Sequence, residues 1–175
     1  MNASVREIDM LMKVAEKVNE LGEYLNLEKL NKNSHELSYW YSYITQIKKI
    51  LGNFDNDVSF ISCLMAKAFL CKNHSFDILD VAAKSQSAPG LDIDEITIDG
   101  DRVIAEIKTT IPYGETDLGS QQKETFYKDF EKLQNNEAAY KYFFVTELRT
   151  FKLSNVIYRG WRELLSCYYH MNYLN

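Results

Sequence analysis

The sequence is poor in several features that usually announce a function. It has only three cysteines, Cys63, Cys71 and Cys167, scattered and without a C-x-x-C pair. That argues against a disulfide frame or a cysteine zinc site and fits a reducing, cytoplasmic setting. No apolar run approaches the roughly 20 residues that span a bilayer. The opening MNASVREIDM has no basic segment followed by an apolar one, so no signal peptide is expected. The three histidines, His35, His74 and His170, lie far apart without ligand spacing and read as surface or capping residues. Positive charge is short too: 20 Lys and Arg against 25 Asp and Glu give a net charge of −5. Such a balance counts against a protein that coats nucleic acid by bulk attraction, but it leaves room for a local basic groove. Repeats and low-complexity tracts are absent.

What is present is ordinary globular material. Hydrophobic residues make up 46% and charged residues 26%. A length of 175 residues fits a single domain, with an N-terminal helical part over 1–55, a core over 56–150 and a C-terminal part over 151–175. Twelve tyrosines are a surplus of the kind often spent on interfaces.

Ser4 followed by Glu7 is a capping-box signal, and Ile8, Leu11, Ala15, Val18 and Leu25 continue with helical spacing. Asn26 to Lys32 reads as a connector. A second helix is expected from about Ser34, with Leu37, Trp40, Ile44, Ile47 and Leu51 on one stripe and Gly52 ending it. A third, strongly apolar helix covers roughly Val58 to Cys71. The two N-terminal stripes suit packing on the core, a dimer, or both.

Beyond His74 the pattern changes. Phe76 to Val81 reads as a strand, Ala83 to Gly90 as a polar loop, and Leu91 to Ile98 with Arg102 to Thr109 as a hairpin. Pro112 to Gly119 is a second loop. Gln121 to Leu133 is a helix with Phe126, Phe130 and Leu133 inward, and Tyr142 to Thr146 is a short apolar strand. Trp161 to Tyr168 is expected to be helical. The order predicts an α/β fold in which helices flank a small mixed sheet.

The chemistry sits in the hairpin. Its first run begins with acid, Asp92 and Asp94, and its second ends Glu106-Ile107-Lys108. A two-residue turn at Asp99-Gly100 sets Asp92 opposite Ile107 and sends Glu106 to the other face. A three-residue turn, Ile98-Asp99-Gly100 with a left-handed glycine, pairs Thr97 with Asp101. It sets Asp92 directly across from Glu106, with Lys108 on the same face. A turn one step later substitutes Asp94. The left-handed glycine favours Asp92. Two carboxylates directly across an antiparallel pair repel each other unless a cation lies between them. Oxygen-only ligands suit Mg²⁺, which takes one or two carboxylates and keeps several waters. The Ile107 backbone carbonyl is a further ligand candidate. The bland alternative is a half-buried surface hairpin with ordinary exposed charges.

At these residues the chain resembles the PD-(D/E)XK nuclease superfamily, which includes type II restriction endonucleases and archaeal Holliday junction resolvases. Gly90-Leu91-Asp92-Ile93 matches the aspartate motif and Glu106-Ile107-Lys108 the E-x-K motif; Pro89 stands three residues before Asp92 instead of beside it. The resemblance covers roughly Asp57 to Thr146. It implies a restriction-endonuclease-like three-layer core and Mg²⁺-dependent phosphodiester hydrolysis. Asp92 and Glu106 would be metal ligands, with Lys108 at the attacking water.

EIKTTIP followed by GSQQKETFYKDFEKL looks most like bacterial restriction enzymes, acting on double-stranded DNA as a homodimer. A junction resolvase and a non-catalytic DNA-binding or assembly module are the alternatives. Gln121 and Gln122 are accessory candidates by the same resemblance, as is Asp94. Ser85, Gln86 and Ser87 are placed to reach a DNA groove, with a plain polar loop equally consistent. Lys123, Lys128 and Lys132 alternate with Glu124, Asp129 and Glu131, which predicts a solvated face.

Overall fold

A computed structural model describes residues 3–84, 88–157 and 167–170, with 156–157 and 167–170 described as backbone. Ser85–Ser87 and most of the Trp161–Tyr168 segment expected to be helical lie outside the described residues. Among the described residues, five helices and four strands follow in the order α1 (Val5–Leu27), α2 (Leu37–Leu51), α3 (Phe54–Asn73), β1 (Ile93–Ile96), β2 (Arg102–Lys108), α4 (Ser120–Asn135), β3 (Tyr140–Val145), α5 (Leu148–Ile157) and β4 (Cys167–His170). The chain divides into two compact units at Asp57/Val58.

In the N-terminal unit, α1 begins as its sequence demands. Ser4 accepts from the Glu7 N–H at 3.1 Å, and the Glu7 carboxylate accepts from the Ser4 N–H at 2.8 Å. Tyr24 of α1 meets Tyr43 of α2 with ring centroids 5.4 Å apart, and Lys17 pairs with Asp57 at 2.7 Å. The stripes differ from those expected. Ile8, Leu11, Val18 and Leu25 on α1, and Leu37 and Ile44 on α2, are exposed, while Tyr43 and Ile50 are buried. Both helices carry apolar residues on more than one face, so spacing alone does not say which face is covered.

In the second unit the strands form one sheet in the order β1-β2-β3-β4, with β1 antiparallel to β2 and the remaining pairs parallel. β3 reads YKYFFV, as a parallel strand covered on both faces should. One face receives α4: Ile104, Phe143 and Val145 pack with Phe126, Phe130 and Leu133. Phe69 of α3 reaches the other face, edge-on to Tyr142 and Phe144 at 5.9 and 5.5 Å. The fold is α/β, a small mixed sheet with flanking helices. Among the described residues no helix is long and apolar enough to cross a membrane.

Two sequence expectations give way. Phe76 to Val81 is not a strand: the Asp80 carboxylate takes the Ala82 N–H at 2.9 Å and the Asp80 carbonyl takes the Ala83 N–H, which turns the chain. Leu79 and Val81 are nevertheless buried. Cys167 and Tyr168, expected in a helix, lie in β4, where two consecutive tyrosines suit a strand. Helix α5 was not foreseen. Glu147 starts it by accepting the Thr150 N–H on its carboxylate and the Phe151 N–H on its carbonyl.

Candidate active site

The turn between β1 and β2 sets everything that follows. Gly100 has φ +89, and its N–H donates to the Thr97 carbonyl at 3.0 Å. The Thr97 N–H donates to the Asp101 carbonyl at 2.9 Å, and the Thr97 hydroxyl accepts from the Asp101 N–H at 3.0 Å. This is the three-residue turn with a left-handed glycine. It fixes the register Ile93↔Ala105, Asp94↔Ile104, Glu95↔Val103 and Ile96↔Arg102. One step before Ile93, Asp92 therefore faces Glu106.

Asp92 stands where β1 separates from β2. Its Oδ2 accepts the Ile107 N–H at 2.8 Å, taking the place of a strand partner. An extended residue offers its N–H and C=O to the same neighbour, so the Ile107 carbonyl opens toward the Asp92 side. The Lys108 carbonyl turns the other way, to the Thr146 N–H of the β3 side at 3.0 Å.

Alternation sends Glu106 and Lys108 toward α4. Lys108 forms an ion pair with Asp129 Oδ2, and its Nζ lies 5.6 Å from the centroid of the Phe126 ring. Glu106 is only 3% exposed, and its Oε1 accepts from Lys132 Nζ at 3.1 Å. Lys132 Nζ also lies 3.1 Å from Asp129 Oδ1. Two carboxylates and two ammoniums thus interlock between β2 and one side of α4, with Asp92 beside them.

The electrostatics follow from burial. Glu106 is pushed up from 4.5 to about 8, first by loss of water and then by the negative charges of Asp92 and Asp129, against which Lys132 pulls down. Burial pulls Lys132 down, but Glu106 and Asp129 outweigh it and hold the ammonium above its usual range.

The accessory candidates are placed elsewhere. Asp94 is gripped by Arg102, Nε to Oδ1 and Nη2 to Oδ2, both at 2.8 Å, and this pairing holds its carboxyl below the usual range. Arg102 also ties down the end of α4 through the Glu137 carbonyl at 2.8 Å, so Asp94 belongs to a structural clamp. Gln121 is exposed. Gln122 is buried and pins the preceding loop: Nε2 donates to the Ile111 carbonyl at 2.8 Å and Oε1 accepts the Gly119 N–H at 3.2 Å. Seven residues separate Gln122 from Asp129, about 10 Å along the helix. The site meets the middle of α4 and not its N-terminus.

Asp129 and Lys132 correct the expectation of a solvated face. Lys123 and Lys128 do pair outward, with Asp117 and Glu124 at 2.6 Å each. Asp129, however, is buried on the same stripe as Gln122, Phe126 and Leu133. The signal was legible: positions 122, 126, 129 and 133 recur at helical spacing, and the third is an acid where the others are inward.

Among the described residues no three His, Cys, Asp or Glu side chains converge closely enough to cage an ion. The oxygen donors that the hairpin sets at neighbouring positions are the carboxylates of Asp92 and Glu106 and the Ile107 carbonyl. All are oxygens, and the two acids repel each other. That set fits Mg²⁺ in its two-carboxylate mode, completed by water and substrate oxygens. Comparison of the chain with protein-family models, with curated proteins and with solved structures gives no match.

Proposed function

We propose that the protein is a Mg²⁺-dependent DNA endonuclease of the PD-(D/E)XK type, with a restriction-endonuclease-like core. The observation that carries this is the hairpin register, which sets Asp92 against Glu106 and sends Lys108 to the same side as Glu106. Asp92, Glu106 and the Ile107 carbonyl would hold the ion. Bound there, Mg²⁺ would supply Lewis-acid polarisation of a phosphate oxygen and acidify a water. Lys108 would orient the attacking water and offset the charge that builds on the phosphate oxygens. Asp129 positions the Lys108 ammonium, and the Phe126 ring limits its approach to one side.

The preferred substrate is double-stranded DNA cut at a specific site by a homodimer, the arrangement of a type II restriction enzyme. A two-fold pair would bring one site to each strand. The exposed apolar side chains of α1 supply surface of the kind such a pair buries. A net charge of −5 speaks against broad, unspecific DNA binding and so against a resolvase.

One observation favours a second reading. The two ammoniums already satisfy Glu106 and Asp129, as expected of a non-catalytic module that keeps the fold. Digestion with Mg²⁺ separates the three. Discrete plasmid fragments with uniform ends identify a restriction enzyme. Cleavage of four-way junctions alone identifies a resolvase, and intact DNA of both kinds leaves the module.

A further inference from the structure

Lys132 is the unexpected member of the site. Its ammonium has three donors, and three oxygens surround it: Glu106 Oε1 at 3.1 Å, Asp129 Oδ1 at 3.1 Å and the Gly90 carbonyl at 3.4 Å. Two carboxylates and a backbone carbonyl around one positive centre are the donors a small cation seeks. The two lysines of the site are held differently. Lys108 is 17% exposed and fixed between Asp129 and the Phe126 ring. Lys132 is 42% exposed, so its stem runs along the surface and only its head dips into the site.

From this we infer that the Lys132 ammonium is an internal counter-ion, held where positive charge is needed and expelled when Mg²⁺ takes Glu106. The inference rests on the metal-site reading above. A carboxylate as buried as Glu106 is costly without a compensating charge. Whenever Glu106 is ionised and no metal is bound, Lys132 supplies that charge. Once Glu106 ligates a divalent cation, the ammonium meets repulsion where it met attraction. Its flexible four-carbon stem gives it a route to solvent without moving α4. Loading the site is then an exchange of cations. The freed ammonium stays at the mouth, beside Lys108, where a phosphate would enter.

The test uses the full chain and Mg²⁺ alone. Calorimetry on wild type and Glu106→Gln reports whether the ion binds through Glu106. Residue-resolved reductive methylation, with and without saturating Mg²⁺, reports the state of each lysine amine. Lys128, 62% exposed on the same helix, is the internal reference. On Mg²⁺ binding, Lys132 should be labelled about fivefold faster or more, while Lys128 does not change. Binding that needs Glu106 but leaves Lys132 labelling unchanged, or slows it, overturns the exchange and leaves the metal site standing. Absence of binding heat, or equal heat in Glu106→Gln, overturns both.

Discussion

Glu106→Gln is the sharpest probe of the buried carboxylate, because glutamine keeps the shape and removes the titration. Without metal, burial and the neighbouring acids raise Glu106 from 4.5 to about 8. The folded protein therefore keeps a proton that the unfolded chain releases. Its stability falls as the pH climbs through that window and levels off above it. The interval from 4.5 to about 8, at about 1.4 kcal/mol per pH unit, sets a ceiling of about 5 kcal/mol. Relaxation around the charge and the pair with Lys132, whose half-exposed ammonium can return to water, bring the expected gain below that ceiling, to about 1–4 kcal/mol. Urea denaturation in EDTA should give equal stabilities for wild type and Glu106→Gln at about pH 4 or below, under the ordinary value of 4.5. At about pH 9 the variant should be more stable by about 1–4 kcal/mol. Adding Mg²⁺ at about a hundred times its Kd should return about 2.7 kcal/mol to wild type alone. A difference that stays flat across this range, or that favours wild type at high pH without metal, would refute the reasoning.

Other substitutions separate structural from chemical roles. Asp92→Asn should abolish Mg²⁺-dependent cleavage, whereas Asp94→Asn should spare it and cost about 1 kcal/mol or less, since its pair with Arg102 is part-exposed; parallel digests and melts decide between them. Asp129→Asn strands two ammoniums and should cost about 3–5 kcal/mol by chemical denaturation, and a loss under about 1 kcal/mol would mean the cluster carries little. Gly100→Ala forces a side chain into a left-handed residue at φ +89 and should cost about 1–2 kcal/mol, seen as a lowered Tm; an unchanged Tm would remove the turn's hold on the register.

The hairpin was legible because its determinants are local. Thr97, Asp99 and Gly100 choose the turn, and the period of two then carries Asp92, Glu106 and Lys108 to their places without reference to the rest of the chain. The start of α1 and the end of α2 were legible for the same reason, through the Ser4–Glu7 box and Gly52. What failed depends on distant partners. Spacing on α1 offers more than one apolar face, and only tertiary packing selects among them. The Phe76–Val81 segment has the apolar content of a strand, but the chain turns at Asp80, and Leu79 and Val81 are buried without joining the sheet. Asp129 looked like one of a row of alternating charges, although its helical position relative to Phe126 and Leu133 already put it inside. The part Lys132 plays is not legible locally, because it is defined by Glu106, 26 residues away on another element.

The central claim is that the carboxylates brought together by this hairpin cut DNA with the help of one metal ion. Its most direct test is DNA cleavage by wild type, Glu106→Ala and Lys108→Ala, each in Mg²⁺ and in EDTA, with circular dichroism to confirm folding. The account predicts cleavage by wild type in Mg²⁺ only and none by either folded variant. Cleavage by Glu106→Ala at the wild-type rate, or intact linear and branched DNA after exposure to wild type in Mg²⁺, would contradict it.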